Sequence, residues 1–214
     1  MSTPSPWPAI HHERATLAAH LAELPATAWE TPSLCHGWSV HDVLGHIVST
    51  AKMTPPRFFV KFAGSGFRFG AMATRQIARE TADGPAATLA ELRAHAEDST
   101  APPGPVDSWL GEIIVHGTDI RWPLGIDHEF PVDALIRVAE FYRRSNTLIG
   151  AKNRIAGVTL HATDTAWSAG TGPEVTGSLH DLIMAMTGRQ AALLRLSGAG
   201  LAVLTPRFPS AAAS

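Results

Sequence analysis

The sequence predicts an α+β fold in two parts, a helical bundle over residues 1–152 and a small α/β domain over 153–206, followed by a disordered tail over 207–214. Three observations carry this reading. Apolar residues recur at helical spacing in long stretches as far as Ile149. From Arg154 the texture changes to short runs separated by glycines, which suit strands and turns. Hydrophobic residues fill 45% of the 214 positions, enough for a sizeable core, with no internal repeat and no heptad seam.

Each element has its own signal. Ile10, Leu17, Leu21 and Leu24 define a first helix that stops at Pro25. Thr27–Trp38, with Pro32, Gly37 and two tryptophans, reads as an ordered loop. Ser39 followed by Asp42 is a variant of the capping box, and Val40, Val43, Leu44, Ile47 and Ala51 continue it as an apolar stripe up to Pro55-Pro56. Residues 57–70 are aromatic, basic and glycine-rich, and read as a long loop or lid. Helical pattern resumes over Ala71–Glu80 and Thr88–Glu97, and Pro102–Pro105 breaks it. Asp107 or Ser108 can then cap a helix running to about Arg121, and Asp133–Ile149 is the last long amphipathic stretch. Beyond it, Gly157–Ala162, Thr165–Ala169 and Val175–Gly177 read as strands, with short helices over Ser178–Thr187, Gln190–Leu196 and Gly200–Leu204.

Composition narrows the function. Lys+Arg 17 against Asp+Glu 19 gives a net charge of −2, too even for a phosphate-backbone binder or a docker on anionic membranes. One cysteine, Cys35, can form no internal disulfide and rules out thiolate zinc cages. No basic and then apolar leader opens the chain, and no stretch approaches 18 apolar residues. The expectation is a soluble cytoplasmic protein, a monomer or homodimer, acting on a small molecule rather than on nucleic acid or membrane. The 11 histidines are unusually many for this length.

Two of them, His46 and His116, lie inside helices rich in apolar residues. In GEIIVHGTDI, Glu112 and His116 stand four apart on one helical face shared with Trp109, Ile113 and Ile120. A carboxylate turned inward is costly unless it is paired or bound to metal. A buried Glu–His hydrogen bond would satisfy it, and so would a divalent ion. His46, at the edge of the capped second helix, adds a third donor, because bundle sites are built from inward side chains of different helices. Two imidazoles and one carboxylate suit zinc with an open fourth position, although iron(II) or nickel(II) could use the same donors. Asp42 and Asp119 are candidate acceptors for the imidazole N–H groups. Cys35 reads as a packed, inert thiol, since His36, the base it would need as a nucleophile, is near it only in sequence.

The segments PSLCHGWSVHDVLGHI (32–47), HGTDIRWPLG (116–125) and WSAGTGPEVTG (167–177) resemble the mycothiol-dependent maleylpyruvate isomerase family, part of the DinB/YfiT-like metal-binding bundles. The resemblance spans roughly residues 10–205. It implies a DinB-like four-helix bundle followed by a sterol-carrier-like α/β domain, with zinc or another divalent metal on His46, Glu112 and His116. It further implies mycothiol as a thiol cofactor and a C-terminal-domain arginine, carried over to Arg189, that contacts substrate. His36 and His41 stand where the family's stretch carries Glu-like and Arg-like residues. The activity implied is thiol addition to a small electrophile, giving isomerisation or S-transfer. Metal-bound water acting in hydrolysis, or a non-catalytic metal-binding module, are the alternatives. Arg57, Arg68 and Arg75 are further candidates for holding a substrate carboxylate.

Overall fold

The computed structural model describes residues 4–147 and 149–208 and divides them into two compact units, Met1–His128 and Glu129–Ser214. The first unit is all helical: α1 (Trp7–His20), α2 (Val40–Ala51), α3 (Pro55–Gly64), α4 (Phe69–Glu80), α5 (Pro85–Ala94) and α6 (Val106–Arg121). Helices α1, α6, α2 and α5 close a ring in which each packs against two neighbours, and this is the expected four-helix bundle. Ile10, Leu17, Val40, Val43, Leu44, Val48, Leu92, Leu110, Ile114 and Ile120 fill it. Helix α4 lies on the outside of α2.

The start of α2 follows the sequence signal. The Ser39 hydroxyl accepts from the Asp42 amide at 3.1 Å, and the Asp42 carboxylate accepts from the Ser39 amide at 2.9 Å. Two of the four amides that a helix start leaves without partners are thus satisfied reciprocally. Gly45 sets how close α4 can come: a Cβ there would sit 2.7 Å from Thr81 Cγ2. The Thr81 hydroxyl is tied back to the Ile77 carbonyl, so its side chain has little freedom to turn away.

Residues 57–70, expected as a loop or lid, are instead the α3–α4 hairpin with a turn at 65–68. Pro55 and Pro56, read as a stop, occupy the first turn of α3, where a missing N–H costs nothing. Phe67 in the turn has a left-handed φ of 59° and is 72% exposed. Helix α3 buries none of its residues.

At the C-terminal end of α6 sits a buried polar cluster. Glu13 and Arg121 are each 1% exposed, Arg121 Nε donates to His20 Nδ1 at 3.1 Å, and His128 Nε2 lies 2.8 Å from Glu13 Oε2. Burial, with Arg121 and His12 adding to it, pushes His128 down to about 4, while burial pushes Glu13 up. The imidazole is therefore neutral and donates Nε2–H to Glu13. Arg121, the last residue of α6, is brought down to about 10 by burial.

The second unit comprises α7 (Val132–Tyr142), α8 (Ala151–Arg154), β1 (Thr159–Ala162), β2 (Ser168–Gly170), β3 (Glu174–Gly177), α9 (Leu179–Met186) and α10 (Leu201–Leu204). The sheet order is β2-β1-β3, with β1 antiparallel to β2 and parallel to β3. Helix α9 packs on β1, β3 and α7, and Leu179, Leu182, Ile183, Met184 and Met186 are all fully buried. Such all-round apolarity belongs to a helix enclosed on every side. Gly172, with φ 129°, passes so close to the Gly157 carbonyl that a Cβ would meet it at 2.2 Å.

The α+β class holds, and three details differ from expectation. The division falls at 128/129 rather than 152/153, because α7 packs on α9 and belongs to the second unit. Helix α7 ends at Tyr142, not Ile149: Arg143 and Arg144 both fold back onto the Glu140 carboxylate, and Leu148 lies outside the described residues. Of the expected tail, Arg207 donates to the carbonyls of Arg154 and Ala156, and Phe208 is buried; residues 209–214 lie outside the described residues. Among the described residues, no helix is long and apolar enough to cross a membrane.

Two outcomes follow from this packing. Gly45→Val should lower unfolding stability by about 2–3 kcal/mol in urea titrations, since the overpacked α2–α4 contact has no slack. His128 contributes stability that is complete above its ordinary value of 6.5 and is lost as pH falls toward about 4, where the unfolded chain takes up a proton that the folded one refuses. His128→Gln should flatten the stability profile over that window, measured by denaturant midpoints from pH 4 to 7.

Candidate metal centre

Helices α2 and α6 are neighbours in the ring, and their facing stripes are buried except at a few positions one turn apart. On α2 the half-open positions include His46 and Thr50; on α6 they include Glu112 and His116. The i, i+4 spacing on each helix stacks the two side chains, and the pairing of the helices brings all four together. The three predicted ligands retain side-chain exposures of 14%, 13% and 16%, for His46, Glu112 and His116. They are neither sealed in the core nor free in water.

His46 Nε2 lies 3.7 Å from Glu112 Oε1, and the His46 and His116 rings meet edge to face with centroids 4.7 Å apart. A separation of 3.7 Å is too long for a hydrogen bond. It is close to the roughly 3.4 Å that separates two donors at tetrahedral angles on one zinc ion. Glu112 Oε1 also accepts from the Thr50 hydroxyl at 2.5 Å. Burial raises the Glu112 carboxyl above its ordinary value, against the opposing pull of His116, the Thr50 hydroxyl and Arg14.

The other edge of His116 is occupied. Its Nδ1 lies 2.9 Å from Asp119 Oδ2, and Asp119 is 0% exposed. A carboxylate can only accept, so Nδ1 carries the proton and Nε2 keeps its lone pair for a cation. Asp119 thus fills the acceptor role expected of it, whereas Asp42 is spent on the α2 cap. Cys35 stands in the same place. Its Sγ is 3.0 Å from Asp119 Oδ2 and 3.5 Å from His116 Nδ1. Among the described residues, the acidic, histidine and cysteine ligand atoms that all lie within 4.8 Å of one another are those of Cys35, His116 and Asp119.

The structure thus brings His46, Glu112 and His116 to one place between α2 and α6, and gives Cys35, read as inert, a partner 84 residues away. Thr50 was also missed, although its place one turn after His46 was a usable signal. Trp38 joins the site from the loop before α2, its ring centroid 5.4 Å from that of His46. Arg189 lies in the second unit, where its Nη1 donates to the Thr187 carbonyl at 2.9 Å and its charge adds to the burial that lowers Arg154. Of the arginines considered for substrate, Arg57 and Arg68 are exposed, and Arg75 donates to the Gly64 carbonyl within the hairpin.

Comparison with known proteins adds a family to this geometry. Residues 10–111 match the family described as the mycothiol maleylpyruvate isomerase N-terminal domain. That span includes His46 and stops just short of Glu112 and His116. Crystal structures of the mycothiol-dependent maleylpyruvate isomerase and of a point mutant of it resemble this chain with TM-scores of 0.63 and 0.62. Each shares 15% sequence identity and covers 90% of this chain and 91% of that chain, a likeness of fold. No curated protein matches the chain. The family match covers residues 10–111, and the likeness of fold to the isomerase extends over 90% of the chain.

Proposed function

We propose that this protein is an enzyme that holds one divalent metal on His46, Glu112 and His116 and directs a low-molecular-weight thiol, mycothiol, at a small electrophilic substrate. The product is an isomer if the thiol departs again, or a thioether if it stays. The observation that carries this reading is the paired arrangement of His46 Nε2 and Glu112 Oε1 at 3.7 Å beside a His116 whose Nδ1 is already engaged. That donor set fits zinc and leaves room for one further ligand. The group, when bound, supplies Lewis acidity that deprotonates a coordinating thiol.

The protein's own side chains have defined tasks. Asp119 fixes the His116 tautomer, and the Thr50 hydroxyl holds one carboxylate oxygen of Glu112 in place. The partial exposure of the three donors admits the thiol while the surrounding apolar stripes limit water. Arg189 is assigned to a substrate carboxylate, where a planar guanidinium offers two parallel donors. The low cysteine content agrees with a nucleophilic sulfur that arrives from outside.

Metal analysis tests this directly. Wild-type protein should retain about one equivalent of zinc after gel filtration. His46→Ala, Glu112→Ala and His116→Ala should each bind at least about 100-fold more weakly in chelator competition, as loss of one ligand in three demands. Mycothiol should bind the metal-loaded protein and not the stripped one by calorimetry. Wild type without metal, or thiol binding indifferent to metal, would end the proposal.

Glu112 gives a second handle in the stripped protein. Its raised carboxyl contributes stability that is present at acid pH and lost as pH rises through its folded value. Metal-free Glu112→Gln should therefore be more stable than metal-free wild type at pH 8, by denaturant midpoint. The same variant should gain no stability when zinc is added, whereas wild type gains several degrees in melting temperature.

A further inference from the structure

We propose that Cys35 is a positioning residue for the metal site, acting through Asp119 on His116. The inference rests on the metal reading above and concerns a residue that neither spacing nor family resemblance assigns. Its basis is the turn over residues 32–39, which is closed by an isolated bridge between Pro32 and Ser39. Ser33 and Trp38 close it further: the Ser33 amide donates to the Trp38 carbonyl at 2.9 Å, and the Ser33 hydroxyl donates to the same oxygen at 2.8 Å. The Cys35 amide donates back to Ser33 Oγ at 3.1 Å, and the Trp38 amide donates to the Cys35 carbonyl at 3.0 Å. The Leu34 amide then pins the turn to α6 by donating to the Asp119 carbonyl at 3.2 Å. One small, internally bonded turn therefore reaches both imidazoles, with Trp38 beside His46 and Cys35 beside His116 and Asp119.

Two other roles for Cys35 fail on this geometry. As a nucleophile it would need a base, but His116 Nδ1 is protonated toward Asp119 and cannot take another proton. As a metal ligand on the Nδ1 edge it would have to displace both protons now directed at a fully buried carboxylate. The arrangement that satisfies every group has the Cys35 S–H and the His116 Nδ1–H both donating to Asp119 Oδ2. The thiol is a weak donor, yet inside a desolvated site it limits the rotation of the carboxylate and hence of the imidazole.

The test compares wild type with Cys35→Ser, Cys35→Ala, Asp119→Asn and the double variant Cys35→Ala/Asp119→Asn, using zinc affinity by chelator competition and the absorption spectrum of the cobalt(II)-loaded protein. Outer partners of metal ligands typically contribute 10- to 100-fold in affinity, and a thiol donor should give the low end. Cys35→Ala should bind zinc about 5- to 10-fold more weakly. Cys35→Ser, which keeps a donor, should stay within about 3-fold of wild type by the same scale. Adding Cys35→Ala to Asp119→Asn should cost little more, because both act through one carboxylate. Wild-type affinity in Cys35→Ala, or losses that multiply in the double variant, would overturn the inference while leaving the metal reading intact. A thiolate-to-cobalt charge-transfer band in wild type that vanishes in Cys35→Ser would also overturn it, by making Cys35 a ligand. Undiminished zinc binding in His46→Ala would instead remove the metal reading and this inference with it.

Discussion

A carboxylate drawn out of water between α2 and α6 is the constraint on which the site depends. Glu112 stands where burial disfavours its charge, and only His46, His116, Thr50 and the field of Arg14 moderate the cost. A core built for stability alone would place an apolar residue there. On the proposed reading a bound cation would reverse this cost, because the charge that burial disfavours would hold the ion. Stability and metal affinity would then be set by the same side chain with opposite signs. The ring of α1, α6, α2 and α5 supplies the rigidity that keeps the three donors at fixed separation.

A second carboxylate, Asp119, shows the same logic about two turns further along α6. Fully buried, it survives as an acceptor by facing N–H and S–H donors. Helix α6 thus alternates two kinds of residue. Ile113, Ile114, Val115 and Ile120 fix its place in the bundle, while Glu112, His116, Asp119 and Arg121 each demand a specific polar partner from another element. Those partners come from α1, α2 and the turn over 32–39, so the helix is held by direction-specific bonds as well as by burial.

Much of this was legible before any coordinates. The Ser39–Asp42 cap, the i, i+4 pair Glu112–His116 and the inward His46 all follow from local spacing, and helical geometry obeys local rules. What was not legible depended on distant partners. Cys35 looked inert because His116 and Asp119 lie more than 80 residues on. Asp133–Tyr142 looked like one more bundle helix because an amphipathic stripe does not say which surface it meets, and that surface proved to be α9. Residues 57–70 were misjudged for another reason. Proline both stops a helix and begins one, and here Pro55 and Pro56 begin it.

Helix α3 makes a contrast with all of this. None of its side chains is buried, whereas α2, which ends only four residues earlier, is buried along most of its length. Replacement on α3 meets almost no penalty from the bundle, while α2 tolerates little because Gly45 and His46 serve opposite faces. A lineage carrying this architecture can therefore reshape one exposed hairpin freely, generation after generation, without disturbing the chemistry housed next door in sequence.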